Sequence, residues 1–440
     1  MNSKTPISSK ARRAGHSPIS DLMTRALSTP GLISLAAGFV DQATLPVETA
    51  AQATRGVLAG TQRGQNALQY GTTLGDLGLR TRLVRRLEKQ ERAGEGAFEE
   101  AIARTVITNG SQQLLYLVAE TLIDPGDIVL VESPTYFVFL GVLQAHGARV
   151  IGVEIDEGGM RLDSLESRLA QIEARGELDR VKLIYTVSEH SNPTGLSLDA
   201  DRRAALVAVA RAWSKTQRIY VLEDAAYRGL TYEGTECPSV WSHDTNHDTV
   251  ILARTFSKTF SPGLKLGYGV VPEALLKPLL VLKGSHDFGT SHFNQHVLGQ
   301  VLDTDAYDAQ IARLRAAYDA KRKATLAALE EHVAPLHSGA RWTHPTGGLY
   351  VWLTLPESID TGGAGSFFER CVHNGVLYVP GCHAFPEEPL ARVCSSLRLC
   401  YGWITCEQIR EGIRRLAVSI AESLPPVATR ARLESATAGA

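Results

Sequence analysis

The sequence predicts an α/β protein in which a large domain, with helices on both faces of a mostly parallel sheet, precedes a smaller C-terminal α+β domain. Between about residues 105 and 275, short apolar runs alternate with segments of helical periodicity, which is typical of strand–helix–strand units in a parallel sheet. After about residue 305, long charged helical segments replace this alternation. The predicted strands of the large sheet are residues 128–131, 150–153, 183–187, 219–222, 250–253 and 268–271.

The helices and the domain limits follow from the same periodicity. Leu206, Val209, Ala210 and Trp213 recur on one helical face and predict a helix that packs on the sheet. Near the C-terminus we predict a helix over 307–332, a strand over 348–355 and a last helix over 407–424. The predicted divisions are an N-terminal arm with a small-domain segment (1–54), the large domain (55–305), the small domain (306–424) and a flexible tail (425–440).

Charge and apolar patterning exclude several classes of protein. The 440 residues contain 45 basic and 47 acidic side chains, so no field of one sign points to nucleic acid or an anionic membrane as a partner. No apolar stretch approaches the roughly 18–20 residues that a membrane span needs. The six cysteines include no Cys-x-x-Cys pair, and we expect them to be buried, reduced thiols in a cytoplasmic protein.

The segment after the predicted strand 250–253 carries an amine beside hydroxyl groups. Thr255, Ser257 and Lys258 lie at the carboxyl end of that strand, where open α/β sheets bind ligands. Lys265 adds a second cation that could meet a phosphate together with the two hydroxyls. A lone lysine in such a loop is usually solvated, so a functional role for Lys258 is supported only by the hydroxyls and the second cation near it in sequence.

A carboxylate follows the neighbouring predicted strand 219–222. Asp224 ends this apolar run, and Tyr227 lies three residues further on. A buried carboxylate is unfavourable unless a cation or hydrogen-bond donors meet it. Asp224 could cap the next helix, or it could pair with a protonated pyridine ring.

Gly110, Ser111 and Gln112 stand at the start of a predicted helix with an apolar stripe. We expect Ser111 to be the N-cap, and the free N–H groups of the same helix start also suit a phosphate. Tyr136 follows strand 128–131, where its ring could stack on a flat heteroaromatic group or cap the core.

Asn192 and Arg398 are further candidate site residues, and the sequence around each one limits what its side chain can do. Asn192 begins an Asn-Pro-Thr-Gly run that, taken alone, indicates only a turn. Arg398 stands between two leucines in a strand-like run, so its side chain points either into a cleft or into water. If it points inward, its planar guanidinium suits a carboxylate.

This set of motifs resembles the fold-type I, class I/II pyridoxal-phosphate (PLP) aminotransferases, especially the branch with 2-aminoadipate, kynurenine and aromatic aminotransferases. The resemblance covers about residues 19–424. It is carried by the lysine motif at 255–258, the Asn-Pro-x-Gly run at 192–195, the Asp-x-x-Tyr run at 224–227 and the arginine at 398. It implies transfer of an amino group from an L-α-amino acid to a 2-oxo acid, with 2-oxoglutarate expected from family habit.

The resemblance also implies a role for each residue. Lys258 would attach PLP and move the substrate's α-proton, and Asp224 would keep the ring nitrogen protonated. Asn192 and Tyr227 would bind the ring hydroxyl, and Tyr136 would stack on the ring. The remaining assignments are phosphate binding by Gly110, Ser111, Gln112, Thr255, Ser257, Lys265 and, across a homodimer interface, Tyr70, and substrate binding by Arg398, Asn192 and Gly38.

Three departures from the family pattern qualify these implications. Lys265 replaces an arginine at the phosphate, which keeps the charge but loses the two-pronged geometry. The usual Pro-x-Phe-Gln is replaced by residues 188–191, where His190 could approach the cofactor, although we favour a solvated loop residue. Val40 and Leu45 replace the usual proline and phenylalanine at the rim that faces the substrate.

Two alternatives to transamination remain open from the sequence. The altered segment 188–191 motivates a PLP-dependent lyase, cyclase or oxidase of specialised amino-acid metabolism. Relatives in this branch also include transcription regulators with a DNA-binding module ahead of the aminotransferase-like part. Only residues 1–32 precede Ile33 here, which is too short for such a module, so we expect an enzyme without a nucleic-acid partner.

Overall fold

The computed structural model describes residues 6–15, 22, 24, 25, 28–386 and 394–424. The predicted tail 425–440 and much of the N-terminal arm lie outside the described residues. Within them, no helix is long and apolar enough to cross a membrane.

The large sheet has eight strands and confirms the predicted mostly parallel architecture. In spatial order the strands are β2 (Thr105–Thr108), β9 (Gly267–Val270), β8 (Val250–Thr255), β7 (Tyr220–Asp224), β6 (Val181–Thr186), β3 (Ile128–Ser133), β4 (Arg149–Asp156) and β5 (Gly159–Met160). Strands β3, β4, β6, β7 and β8 run parallel, β9 is antiparallel to both β2 and β8, and β5 is antiparallel to β4.

Helices cover both faces of this sheet because its central strands are apolar on both sides. In β3, Ile128 and Leu130 belong to one buried cluster, and Val129 and Val131 belong to another. The helices of this part are α2 (Val47–Leu58), α3 (Thr61–Leu68), α4 (Leu77–Gln90), α5 (Ala101–Arg104), α6 (Gly110–Leu122), α7 (Phe137–His146), α8 (Leu162–Ala174), α9 (Ala200–Trp213), α10 (Glu273–Asp287) and α11 (His292–Leu302). They follow α1 (Ser9–Arg13).

The C-terminal part packs around a separate small sheet. Antiparallel strands run in the order β10 (Arg341–Trp342), β11 (Tyr350–Thr354), β14 (Ser396–Cys400) and β13 (Val379–Pro380). N-terminal strand β1 (Ile33–Ser34) pairs in parallel with β12 (Val376–Leu377), so residues from both ends of the chain share one core. The accompanying helices are α12 (Ala306–His332), α13 (Ser366–His373) and α14 (Cys406–Ala421).

The fold brings the carboxyl ends of β3, β6, β7 and β8 to one edge of the large sheet. Tyr136 follows β3, Asn192 follows β6, Asp224 ends β7 and Lys258 follows β8. Because the strands are parallel neighbours, side chains that lie far apart in sequence meet at this edge.

Candidate active site

Lys258 lies in the turn after β8 with its amine at the sheet edge. Its Nζ donates a hydrogen bond of 2.8 Å to the carbonyl oxygen of Gly38. Burial lowers the pKa of Lys258 to about 8, and the charges of Arg398 and Lys265 act in the same direction. With this pKa, about a tenth of the amine is neutral and nucleophilic at pH 7, far more than for an ordinary lysine.

Asp224 presents a buried carboxylate at the end of β7. The side chain is 3% exposed, and the hydroxyl of Tyr185 donates a hydrogen bond of 3.0 Å to Oδ2. The second oxygen, Oδ1, is buried and has no hydrogen-bond partner among the described residues. Burial raises the pKa of Asp224 to about 6. A cationic N–H group facing Oδ1 would stabilise the ionised form.

Arg398 points inward from β14 and lies 2% exposed. Nη1 donates to Oδ1 of Asn192 at 2.9 Å, and Nη2 donates to the carbonyl oxygen of Ala36 at 2.6 Å. The guanidinium also lies 4.6 Å from the ring centre of Tyr350 and 5.5 Å from that of Phe137. Its Nε is buried without a partner in the described part of the chain, and each Nη carries a second N–H, so donors for a carboxylate remain.

Three tyrosines border the same space. The hydroxyl of Tyr227 donates to that of Tyr350 at 3.1 Å. The hydroxyl of Tyr136 donates to Oε1 of Gln112 at 3.3 Å, which joins the residue after β3 to the start of α6. Burial and then the charge of Asp224 raise the pKa of Tyr136, so its ring lies near that carboxylate.

The start of α6 and the turn after β8 form a small polar cradle. Gly110 has a φ of +70°, and a Cβ on it would lie 3.8 Å from Oγ1 of Thr255 and 4.0 Å from Oγ of Ser257. Gly267 lets β9 approach this helix start, since a Cβ there would lie 2.7 Å from the backbone nitrogen of Ser111. Hydroxyls and free helix N–H groups thus converge, as a phosphate site requires.

The expected N-cap role of Ser111 is wrong. Asn109 is the N-cap residue, and α6 begins at Gly110, so Ser111 lies in the first helical turn. The positive φ of Gly110 allows the chain to turn into the helix two residues earlier than the capping preference of serine suggests. The backbone N–H of Ser111 is consequently one of the unpaired donors of the helix start.

Three further predicted site residues, Gly38, Lys265 and Tyr70, differ in their exposure and in their contacts with the site residues described above. A Cβ on Gly38 would lie 3.1 Å from the hydroxyl of Tyr350, so Gly38 lines the site. Lys265 is exposed in a left-handed conformation with a φ of +53°. Tyr70 is 82% exposed and its ring packs edge-on against Phe288 at 5.6 Å. Among the described residues of one subunit, Tyr70 makes no hydrogen bond or ring contact with the other predicted site residues.

His190 is buried, so its interpretation as a solvated loop residue is wrong. It is 2% exposed, and its Nε2 lies 2.9 Å from Oγ1 of Thr231. A Cβ on Gly347 would lie 2.3 Å from the same nitrogen, so the imidazole packs directly against that backbone. The preceding Glu189 makes buried ion pairs of 3.2 Å with Arg203 and Arg228. These contacts brace segment 188–191, which gives no support to a separate lyase, cyclase or oxidase chemistry.

The sequence did not single out Tyr185, Tyr350, Gly267 or Glu132. Glu132 is buried in β3, accepts a 2.6 Å hydrogen bond from Thr186, and has its pKa raised to about 7 by burial. A phenol within an apolar parallel strand needs a buried partner, and this signal could have identified Tyr185. Glu132 directly follows the predicted strand 128–131, the same signal that marked Asp224, and could have been identified in the same way. No comparable signal marked Tyr350 and Gly267, whose roles depend on which strands become neighbours.

The described residues fit PLP. The unpartnered Oδ1 of Asp224 suits a protonated ring nitrogen, the neutral fraction of Lys258 suits an aldehyde, and the cradle around Gly110 suits a phosphate. No cluster of three or more His, Cys, Asp or Glu side chains within the described ranges could hold a metal ion.

Comparisons with known proteins agree with this chemistry. The family model for aminotransferase class I and II matches residues 30–416. Aromatic-amino-acid aminotransferase 1 of Thermococcus litoralis is 34% identical over 95% of this chain and 94% of its own length. The 2-aminoadipate transaminase of Thermus thermophilus is 32% identical over 88% and 89%.

A solved structure supports the same relationship. The kynurenine aminotransferase of Pyrococcus horikoshii, in complex with PMP, superimposes with a TM-score of 0.86 at 32% identity, covering 96% of this chain and 98% of that one. The fold, the PLP cofactor and transamination predicted from the sequence are confirmed. The chain belongs to the class I and II aminotransferases and is a PLP-dependent transaminase.

Proposed function

We propose that this transaminase exchanges an amino group between an L-α-amino acid and a 2-oxo acid at the edge formed by β3, β6, β7 and β8. The observation that carries the proposal is Arg398, a buried guanidinium with an unpartnered Nε, which contacts the carbonyl oxygen of Ala36 two residues from the Gly38 carbonyl oxygen that the Lys258 amine contacts. A planar cation in this position binds a carboxylate with two parallel hydrogen bonds. Both the amino acid and the 2-oxo acid carry such a carboxylate.

Asp224 and Lys258 would hold and move the protons of the reaction. When bound, the cofactor supplies an electron-withdrawing ring that stabilises negative charge at the substrate's α-carbon. Asp224 would keep a proton on the ring nitrogen, with Tyr185 fixing the carboxylate through its 3.0 Å hydrogen bond. Lys258, with a pKa of about 8, would accept the α-proton and return it to the neighbouring carbon.

The other site residues would bind and orient. Asn192 holds the guanidinium of Arg398 at 2.9 Å and would direct it toward the substrate carboxylate while also meeting the ring hydroxyl with Tyr227. Tyr136 would stack on the ring, and Gly38 leaves space for the substrate. The phosphate would lie on the start of α6, contacting Gly110, Ser111, Gln112, Thr255, Ser257 and Lys265.

A homodimer accounts for the exposed aromatic pair that follows α3 and α10. Tyr70 is 82% exposed, and Phe288 and Leu68 are 61% and 70% exposed, which is unusual for large apolar side chains that lie close together. We propose that this surface meets a second subunit and that Tyr70 contacts the partner's phosphate site.

We also propose the division of the chain into residues 1–54, 55–305 and 306–424, and a cytoplasmic location. Separate apolar cores and six free thiols support these two assignments.

The substrate class follows from the relatives and stays a proposal. Relatives are named for aromatic amino acids, 2-aminoadipate and kynurenine. We therefore propose donors from these classes and 2-oxoglutarate as the acceptor.

A panel of single half-reactions tests the function. The PLP-loaded enzyme is mixed with one amino acid at a time, and the visible absorbance of the cofactor and the 2-oxo acid product are measured together. We expect loss of the visible band with one 2-oxo acid formed per site, followed by recovery of the band with 2-oxoglutarate. Lys258→Arg is the matched control and should show no conversion. Ammonia or a ring-closed product in place of the 2-oxo acid would contradict the proposal.

A further inference from the structure

Two cysteines meet beside the small sheet, outside the site described above. Cys382 lies in the short turn Gly381–Ala384 that follows β13, and Cys394 precedes β14. The antiparallel pairing of Pro380 with Leu397 brings these two segments together. A Cβ on Gly381 would lie 2.5 Å from the carbonyl oxygen of Ser396, so the backbones are in direct contact.

The sulfur of Cys394 accepts a hydrogen bond from the backbone. The N–H of Cys382 donates to this sulfur at 3.1 Å, whereas the hydroxyl of Thr361 lies 3.4 Å from it and has nearer acceptors in the carbonyl oxygens of Ser396 (2.7 Å) and Cys394 (2.8 Å). The thiol of Cys382 is also within hydrogen-bonding distance. This thiol contact, helped by the backbone N–H of Cys382, lowers the pKa of Cys394, while the same contact raises the pKa of Cys382. Cys394 is therefore the better nucleophile of the pair.

We propose that Cys382 and Cys394 form a site of reversible oxidation, at which a peroxide converts the two thiols into one intramolecular disulfide. The thiolate of Cys394 attacks one peroxide oxygen, the O–O bond breaks, and the sulfur becomes a sulfenic acid while the other oxygen leaves as water after protonation. The sulfur of Cys382 then attacks the sulfenic sulfur, expels its hydroxyl group as a second water and completes the disulfide. Two thiols are oxidised by two electrons, and one peroxide is reduced to two waters.

The other four cysteines do not share these features. Cys371 and Cys400 are buried, and burial raises the pKa of each thiol. Cys382 is exposed and Cys237, Cys394 and Cys406 are partly exposed, so the expectation of buried thiols is right only for Cys371 and Cys400. In the described part of the chain, no third Cys, His, Asp or Glu completes a metal site with the pair. Oxidation is thus the chemistry that the pair supports.

The two cysteines lie next to two segments that carry active-site residues, β14 with Arg398 and the segment after β3 with Tyr136. Cys394 leads into β14, which carries Arg398. The turn that holds Cys382 also contains Ala384, whose carbonyl oxygen accepts a 2.8 Å hydrogen bond from the backbone N–H of Thr135, next to Tyr136. A disulfide would fasten this turn to the start of β14 in the arrangement that the thiols already have.

Peptide mapping of the PLP-loaded full chain tests the proposal. The enzyme is treated with a small molar excess of hydrogen peroxide, its remaining thiols are alkylated after denaturation, and it is digested without reductant. We expect a cross-linked pair of peptides containing residues 382 and 394, with a mass lower by two hydrogen atoms than the sum of the thiol forms. Four cysteines should remain alkylated, and a dithiol reductant should restore all six.

Variants assign the order of events. In Cys382→Ser, dimedone should label a sulfenic acid at Cys394, whereas Cys394→Ser should give no comparable label at Cys382. Cys237→Ser, which removes a distant thiol, is the matched control and should form the cross-link as the natural chain does. Oxidation of another cysteine before this pair, or a native chain whose 382 and 394 peptides stay fully alkylatable, would overturn the proposal. The mapping on the natural chain decides the matter even if a variant fails to fold.

Discussion

Replacing Asp224 with asparagine removes a negative charge that is buried in the cofactor-free protein, where burial disfavours the ionised carboxylate. Burial raises the pKa of Asp224 from 3.8 to about 6, so the folded protein binds this proton more tightly than the unfolded chain does. Proton binding by Asp224 therefore stabilises the folded state fully below pH 3.8, and this stabilisation is lost as the pH rises through about 6. The shift corresponds to about 3 kcal/mol in the free energy of unfolding above pH 6. The neutral amide of an asparagine side chain at this position would avoid this loss.

Urea unfolding of the cofactor-free proteins measures the difference. We expect Asp224→Asn to exceed the natural chain in free energy of unfolding by about 1–2 kcal/mol at pH 5 and by about 3 kcal/mol at pH 8, at equal protein concentration. Tyr185→Phe is the matched control, because it keeps the charge and removes its 3.0 Å donor, which should lower stability at pH 8 by about 1–3 kcal/mol. A variant less stable than the natural chain at pH 8, or a difference independent of pH, would refute the reasoning.

Three further predictions concern substrate binding, the braced loop and the lysine. Arg398→Lys should raise KM for the amino acid by about 10- to 100-fold in steady-state assays because a lysine loses the paired geometry, and an unchanged KM would exclude the carboxylate role. His190→Phe should lower the free energy of unfolding by about 1–3 kcal/mol through loss of the Thr231 contact, with an unchanged donor profile; a changed profile would show that the imidazole reaches the substrate. The rate at which cofactor-free enzyme takes up PLP should rise with pH and level off above about 8, the pKa of Lys258, when followed by absorbance; a rate that falls over this range contradicts the neutral-amine argument.

The architecture of the large sheet could be predicted because its strands are short apolar runs bounded by polar turns. All six predicted strands exist, and their observed bounds differ by up to three residues. Strand β2 (Thr105–Thr108) was not predicted, because its two central apolar residues are flanked by threonines and follow a helical segment directly. The antiparallel direction of β9 depends on its pairing with β2 and β8, which no local pattern contains.

Within the site, residues that belong to local motifs could be predicted, and their neighbours could not. Asp224 and Lys258 were found because each follows a buried strand. The hydrogen bond from Tyr185 to Asp224 and that from Tyr227 to Tyr350 join residues 39 and 123 positions apart, so they exist only once the strands have packed. The burial of His190 similarly depends on Thr231, which is 41 residues away.

The central claim is that the amine of Lys258 carries the cofactor, and borohydride reduction tests it most directly. The PLP-loaded enzyme is reduced, digested and mapped by mass spectrometry, with Lys265→Gln treated in parallel because Lys265 is the nearby exposed amine. We predict a pyridoxyl group on the peptide that contains Lys258 in both proteins. A label on Lys265, or no label on Lys258 in cofactor-loaded enzyme, would contradict the account.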